Sequence, residues 1–399
     1  MYREDADGSA VVWGVPVAPF VPVQHMQVDV TAVNLIGNYC FRLARERGWL
    51  QTAQEMALAA SHTLSTESPP AVQREAVANA GADNTFFFAG VEEALADPRP
   101  HFTAAPTPST LLAAGRFHLV HVGSSSYGVC CILSTYRDGE AEAAWRLLGT
   151  FKVTTVWVSK LRRTPTPLLE DKQSLFQAVM ARAASGTPPP PGSTRVQRLP
   201  VADLLRRSGW FAEASAVAAV DVAPYCTASA PPPPEEFTVA PPATNSASTA
   251  SSAPLWLLHR RSFTLRESDI DFNLHLNQLV TKQLVINAFR GAVADPQSAY
   301  SRLLHPDVPH NRADLLLRKF RIDYVREVPM RYAATEVFLF PLDPARVKAQ
   351  VSSAGGATAA EADMMEIGFF TLGVPPAHTT ESRFLATAGV MTAVTCFMR

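Results

Sequence analysis

Twice along this chain an alternating apolar pattern gives way to a helical one and then returns to alternation. That repeated switch restricts the fold to two copies of one unit, each a strand, a long helix and then several strands. In the first half, Phe20 to Val30 reads as a strand, and Leu35, Tyr39 and Leu43 open a helix that runs toward Trp49. In the second half, Ser262 to Leu265 is the strand. The helix then spans Gln278 to Arg290, with Leu276, Val280, Leu284 and Phe289 on one apolar stripe and Gly291 just past its end. Later strands can also be laid over each other without a gap, Phe117–Ser124 on Phe320–Glu327 and Val129–Tyr136 on Tyr332–Leu339. On this register Asn34 stands against Asn277, Ala32 against His275 and Ser124 against Glu327, so the first copy lacks the imidazole and the acid. Between the halves, Gly186–Gly192 and Ala228–Pro254 are dominated by Pro, Ala, Ser and Thr and read as connectors, with one helix over Val201–Val222. The expected division is a first domain at 10–185 with a degenerate site, a Pro-rich spacer at 186–254, and a second, catalytic domain at 255–395. The class is α+β.

With 399 residues the chain can bury two cores, and its net charge of −1 gives no reason to expect nucleic acid or an anionic membrane as a partner. The cysteines, Cys40, Cys130, Cys131, Cys226 and Cys396, lack disulfide-framework or metal-ligand spacing, which points to a reducing compartment. Cys130 and Cys131 read as small core residues of a strand. No apolar run is long enough for a membrane span, the acidic start is unlike a targeting peptide, and the location read from the sequence is cytoplasmic. His305 and His310 sit in a Pro-rich stretch without a cluster around them, so no metal is expected. Gly123-Ser124-Ser125-Ser126-Tyr127-Gly128 misses the nucleophile-elbow spacing by one position.

Chemistry concentrates in Ser268-Asp269-Ile270-Asp271-Phe272-Asn273-Leu274-His275-Leu276-Asn277, just before the second helix. In an extended segment side chains repeat every two residues, so Asp271, Asn273 and His275 can address one substrate atom together. Asp271 or Asn273 could equally be an N-cap of the helix, which would explain one polar residue and leave His275 aside.

This S-D-x-D-x-N-x-H-x-N pattern resembles the hotdog-fold thioesterases, most closely the acyl-acyl-carrier-protein thioesterases. In that family a later strand carries a Tyr-Arg-Arg-Glu-Cys-like run whose Glu joins the Asp, Asn and His. Phe320-Arg321-Ile322-Asp323-Tyr324-Val325-Arg326-Glu327-Val328 fits it, with Glu327 in the acidic place and Val328 where the Cys would stand. The missing Cys argues for a water-based mechanism. From His275 to Glu327 is 52 positions (327 − 275), longer than the resemblance leads one to expect, with the excess in an inserted loop over Asp295–Arg312. The resemblance implies two tandem hotdog domains, each an antiparallel sheet wrapped around a long helix, with catalysis in the second. It implies an acyl thioester of acyl-carrier protein or coenzyme A as substrate, and no cofactor.

Thioester hydrolysis needs an aimed water, a base and a stabilised oxyanion. Glu327 is then base or water-positioning group, His275 and Asn273 orient water and bind the thioester, and Asp271 fixes their orientation; Asp271 and Glu327 could exchange roles. Asn277 and Arg326 are the candidate substrate contacts. The basic run Arg318, Lys319, Arg321, Arg326 and Arg331 could meet phosphates or an acidic carrier, or simply be a solvated strand face. A hotdog enoyl-thioester hydratase, with its D-x-N-P-x-H signature, and a non-catalytic acyl-thioester-binding or scaffold protein are the rival functions. A homodimer is one assembly the sequence allows.

Overall fold

The computed structural model describes residues 1–21, 30–57, 84–96, 110–159, 161–162, 164–186, 193–208, 220–221, 236–238, 254–271, 274–303, 315–344 and 364–395. The chain forms two compact units, Met1–Gln197 and Arg198–Arg399. Most of the expected connector, including Ala228–Pro254 up to its last residue but for 236–238, lies outside the described residues, as do His305, His310, Cys226 and Cys396.

The first unit contains β1 (Tyr2–Glu4), β2 (Ala10–Pro16), α1 (Val30–Glu46), β3 (Asn84–Leu95), β4 (Leu111–Val122), β5 (Ser126–Arg137), β6 (Arg146–Ser159) and α2 (Glu170–Ser185). Its strands pair antiparallel in the order β1-β2-β4-β5-β6-β3. Helix α1 turns Val33, Ile36, Gly37, Cys40, Phe41 and Ala44 inward. Gly37 marks the closest approach: a Cβ there would stand 2.6 Å from Cγ of Phe151 on β6. Cys130 and Cys131 are buried on β5, as a core-strand reading requires, and burial pushes the Cys40 thiol up to about 12.

The second unit contains α3 (Val201–Arg207), β7 (Val220–Asp221), β8 (Glu236–Thr238), β9 (Pro254–Trp256), β10 (His259–Thr264), α4 (Gln278–Ala294), β11 (Leu315–Tyr324), β12 (Ala334–Pro341), β13 (Met364–Val374) and β14 (Arg383–Thr395). Its main sheet runs β10-β12-β13-β14-β11, all antiparallel, with β7 added parallel to β14 and β8 pairing β9 separately. Apart from β1 in the first unit and β7 in the second, both sheets follow one plan. The strand before the long helix lies at one end and the strand after it at the other, with the last three strands between them.

That plan corrects the register read from sequence. The strand equivalent to β11 by topology is β3, whereas Phe117–Val122 belongs to β4, one strand later, with Gly123 and Ser124 just past its end. Both segments interrupt an apolar run with polar residues, Arg116 and His118 in β4 and Arg318, Lys319, Arg321 and Asp323 in β11, so neither keeps a distinctive alternation and a gap-free overlay slipped by a whole strand. The strand expected over Phe20–Val30 is absent at both of its described ends: Ala18–Phe20 is a 3-10 turn and Val30 opens α1. Pro16 and Pro19 supply no ladder N–H, which fits the end of β2 at Pro16. Gly291 does not stop α4, which continues to Ala294. Its missing side chain makes room for the Arg261 guanidinium, which crosses there and donates to the Asn287 carbonyl at 3.2 Å. The buried face of α4 is Thr281, Lys282, Val285, Ile286, Ala288, Phe289, Ala292 and Val293, rotated from the expected stripe so that Val280 and Leu284 are only half-buried. The helix expected over Val201–Val222 is described as α3 alone, with 209–219 outside the described residues. Of the expected loop Asp295–Arg312, Ala299–Leu303 is a 3-10 turn anchored by buried Tyr300, whose hydroxyl donates to the Leu257 carbonyl at 3.2 Å.

Candidate functional site

The described residues of the ten-residue motif, all but Phe272 and Asn273, are folded into a compact loop at the start of α4. A 3-10 turn at Glu267–Asp269 leads into it, with the Arg266 N–H donating to Asp269 Oδ2 at 2.8 Å. Ile270 and Leu276 then bridge, the Asp271 N–H donates to the His275 carbonyl at 2.8 Å, and the Asn277 N–H donates to the Asp269 carbonyl at 2.8 Å. The segment therefore closes on itself, and the simple alternation expected of Asp271 and His275 is replaced by a tight turn. Asp271 holds this turn: its Oδ1 accepts the His275 N–H at 3.2 Å, a local side-chain-to-backbone bond that short acidic side chains favour. Leu274 takes the left-handed conformation, φ 62°, to complete the reversal. Asn273 lies outside the described residues.

The outgoing limb of this loop pairs with the chain just beyond β11. Leu276 N–H donates to the Val328 carbonyl at 2.8 Å, Met330 N–H to the Leu274 carbonyl at 2.9 Å, and His275 stands opposite Pro329. In antiparallel pairing, the partner's residue two positions along shares the face of the one directly opposite. Glu327 is two residues from Pro329, so its side chain falls on the side of His275. Accordingly His275 Nε2 is 3.6 Å from Glu327 Oε2, an ion-pair separation just beyond a direct hydrogen bond. Behind the pair, Leu276, Val328, Tyr332, Phe384 and Ala386 form a small buried cluster that fastens the loop to β14.

Other predicted residues have different placements. Asn277 is the N-cap of α4, its Oδ1 accepting the Leu279 N–H at 2.8 Å. Arg326 is exposed, with its guanidinium 4.3 Å from the centre of the Phe384 ring. The basic run does not form one face: Arg321 is buried in an ion pair with Asp323, Arg331 is paired with Glu381 at 2.8 Å, and Arg318 and Lys319 are exposed on β11.

Lys282 and a pair in the first unit are among the buried polar features that the sequence reading missed. Lys282 is buried on α4 with its Nζ 5.1 Å from the Phe320 ring centre. In the first unit, the Asn34 side-chain amide on α1 donates to the buried Glu93 carboxylate on β3, and Asn38 Nδ2 donates to Asn34 Oδ1 at 3.1 Å. The only sequence signal for that pair is polar side chains at helical spacing, Asn34 and Asn38, on an otherwise apolar face. Setting Asn34 against Asn277 was also displaced, because Asn34 lies inside α1 while Asn277 precedes its helix.

No family model and no curated protein sequence matches the chain. Among solved structures, one described as an oleoyl thioesterase from Lactobacillus plantarum is similar at a TM-score of 0.46 and 12% identity, covering 98% of this chain and 97% of that one. A 12:0-ACP thioesterase from Umbellularia californica aligns at TM-score 0.44 and 9% identity, over 97% and 94% of the two chains. An acyl-ACP thioesterase from Bacteroides thetaiotaomicron aligns at 0.39 and 11%, over 97% and 98%. Likeness at these values transfers no residue role. Among the described residues no helix is long and apolar enough to cross a membrane.

Proposed function

We propose that this chain hydrolyses acyl thioesters of coenzyme A or acyl-carrier protein, with its active site in the second unit. The observation that carries the reading is the approach of His275 to Glu327 at 3.6 Å, made by a turn whose sequence pattern resembles that of the hotdog thioesterases. Two tandem hotdog domains are the architecture we assign, supported by the common order in which each sheet places its strands around the long helix.

A single water can lie within about 2.8 Å of both Nε2 and Oε2, since those atoms are closer together than two hydrogen-bond lengths. Glu327 takes the proton from that water as its oxygen bonds to the thioester carbonyl carbon, while His275 orients the water and supports the developing charge; the tetrahedral intermediate then breaks its C–S bond, and the proton held by Glu327 passes to the departing thiolate. Asn273 is assigned to the thioester carbonyl. Asp271 fixes the turn from which His275 projects, and acts as a positioning residue. No step requires a cofactor or a cysteine. In the first unit the polar pair Asn34 and Glu93 is buried against the sheet, which supports a structural role there and a degenerate site.

The test is thiol release from a panel of acyl-coenzyme A and acyl-carrier-protein thioesters, short to long, by wild type, His275→Ala and Glu327→Ala. Loss of turnover in both folded variants is expected. Absence of wild-type turnover with every thioester would overturn the enzymatic reading and leave a binding or scaffold protein.

A further inference from the structure

We propose that the turn between Ser159 and Thr164 in the first unit docks on an anionic lipid surface, with Leu161 entering the bilayer and the cations around it meeting acidic headgroups. Docking of this kind is independent of the thioester chemistry above.

The turn follows β6 and is closed tightly. The Ser159 N–H donates to the Thr164 carbonyl at 3.0 Å, the Arg162 N–H donates to Ser159 Oγ at 3.2 Å, and the Thr166 N–H donates to the Trp157 carbonyl at 2.9 Å. Val158 and Pro165 bridge beneath them. Leu161 in this turn is 89% exposed, the highest value for a large apolar side chain among the described residues, and Arg162 beside it is exposed as well.

A lone exposed leucine is ordinary. This one stands in a turn whose four residues, Lys160-Leu161-Arg162-Arg163, include none of the Gly, Asn, Asp, Ser or Pro that tight turns favour. Turn formation therefore does not account for the sequence, and at such exposure core packing does not account for the leucine. Three cations and one apolar residue in four positions match a surface of acidic headgroups over hydrocarbon.

The surroundings agree with this. From Arg146 to Leu169 the sequence has no carboxylate, so no acid of that stretch neutralises the turn. Two residues before Ser159, Trp157 packs on Phe86 of β3 with ring centres 4.4 Å apart, both half-buried. Aromatic rings in that state suit the headgroup layer. The chain's net charge of −1 does not oppose docking, because at physiological ionic strength screening limits the attraction to groups within about 8 Å of the surface. An acidic protein would also satisfy the cations. A single apolar side chain on a small turn, however, offers no extended face for a protein to cover, whereas a fluid hydrocarbon layer accepts it.

The test is co-sedimentation of the full chain with vesicles of phosphatidylcholine alone and of phosphatidylcholine mixed with phosphatidylglycerol, at low and high salt. The variants are Leu161→Ser, Arg162→Ser, the triple Lys160→Ser/Arg162→Ser/Arg163→Ser, and Arg146→Ser as a control at the far end of β6, each checked by thermal melting. Wild type is expected to bind the mixed vesicles and to be released by high salt. Leu161→Ser should weaken binding about five- to tenfold. Arg162→Ser should weaken it about fivefold and the triple variant about a hundredfold, while Arg146→Ser binds as wild type does. Should the triple variant melt early, the two single ones carry the comparison. No sedimentation with the mixed vesicles, undiminished binding by Leu161→Ser, or an equal loss in Arg146→Ser would overturn the docking. Equally tight binding of wild type to soluble polyglutamate would overturn it too, and would make the turn a site for an acidic protein.

Discussion

Asp271 and His275 are bound to each other twice through the backbone of His275: the Asp271 N–H donates to its carbonyl at 2.8 Å, and Asp271 Oδ1 accepts its N–H at 3.2 Å. The second bond needs an oxygen at that place and not a negative charge. Asp271→Asn should therefore retain most of the turnover, whereas Asp271→Ala should lose about 1–2 kcal/mol of stability and most of kcat. Parallel denaturant melts and kinetics check this. An inactive but fully stable Asn variant would make Asp271 the base.

In the proposed mechanism His275 and Glu327 act on one water, so their losses should overlap. Each of His275→Ala and Glu327→Gln is expected to lower kcat by about 10²–10⁴-fold. The double variant should be little worse than the more damaged single one, because groups acting as a unit are not additive. Single-turnover rates with saturating substrate measure it; multiplicative losses would separate the two roles.

Burial holds the His118 and His259 imidazoles below the ordinary value of 6.5, against the opposing carboxylates of Asp7 and Asp295 and with Arg116 and Arg261 adding to the shift. The Nε2 atom of each is buried without a hydrogen-bond partner. A depressed folded pKa means that the unfolded chain binds protons first. The stability these groups contribute is then complete above pH 6.5 and is lost as pH falls through the lower folded values. Tm should drop between about pH 8 and about pH 5.5, and His259→Gln should shrink that drop. A slope unchanged by His118→Gln and His259→Gln together would contradict this.

Gly37→Ala offers a test of sign. Helix propensity alone makes alanine better by about 1 kcal/mol. The new methyl would stand 2.6 Å from Phe151 Cγ, so α1 must lift from β6 or the ring must move. Net destabilisation of about 1–3 kcal/mol is expected from equilibrium unfolding. A stabilised variant would show that α1 sits less tightly on the sheet.

The elements that could be read from sequence are those in which chemistry or periodicity is local. Helix α4 begins at Gln278, as the motif's end suggests, and the segment carrying Glu327 does meet the segment carrying His275. The slip of one strand in the repeat has the opposite cause: β4 and β11 both mix apolar residues with basic ones, and only the three-dimensional strand order separates them. The turn at Leu274 was hidden because no glycine announces it. The Asn34–Glu93 bond joins residues 59 positions apart and exists only once α1 lies on its sheet. Gly291 reads as a stop by type, and its actual use, clearance for Arg261, depends on a side chain from another element.

The cap at Asn277 also matters for how the dyad behaves over time. Its side chain fixes the first turn of α4, its N–H is tied to Asp269, and only one residue separates it from His275. The imidazole is thus mounted on a junction that cannot swing without unwinding a buried helix. The backbone that carries the ring is ordered once, when the chain folds, and no further ordering of that backbone is needed at each encounter with substrate.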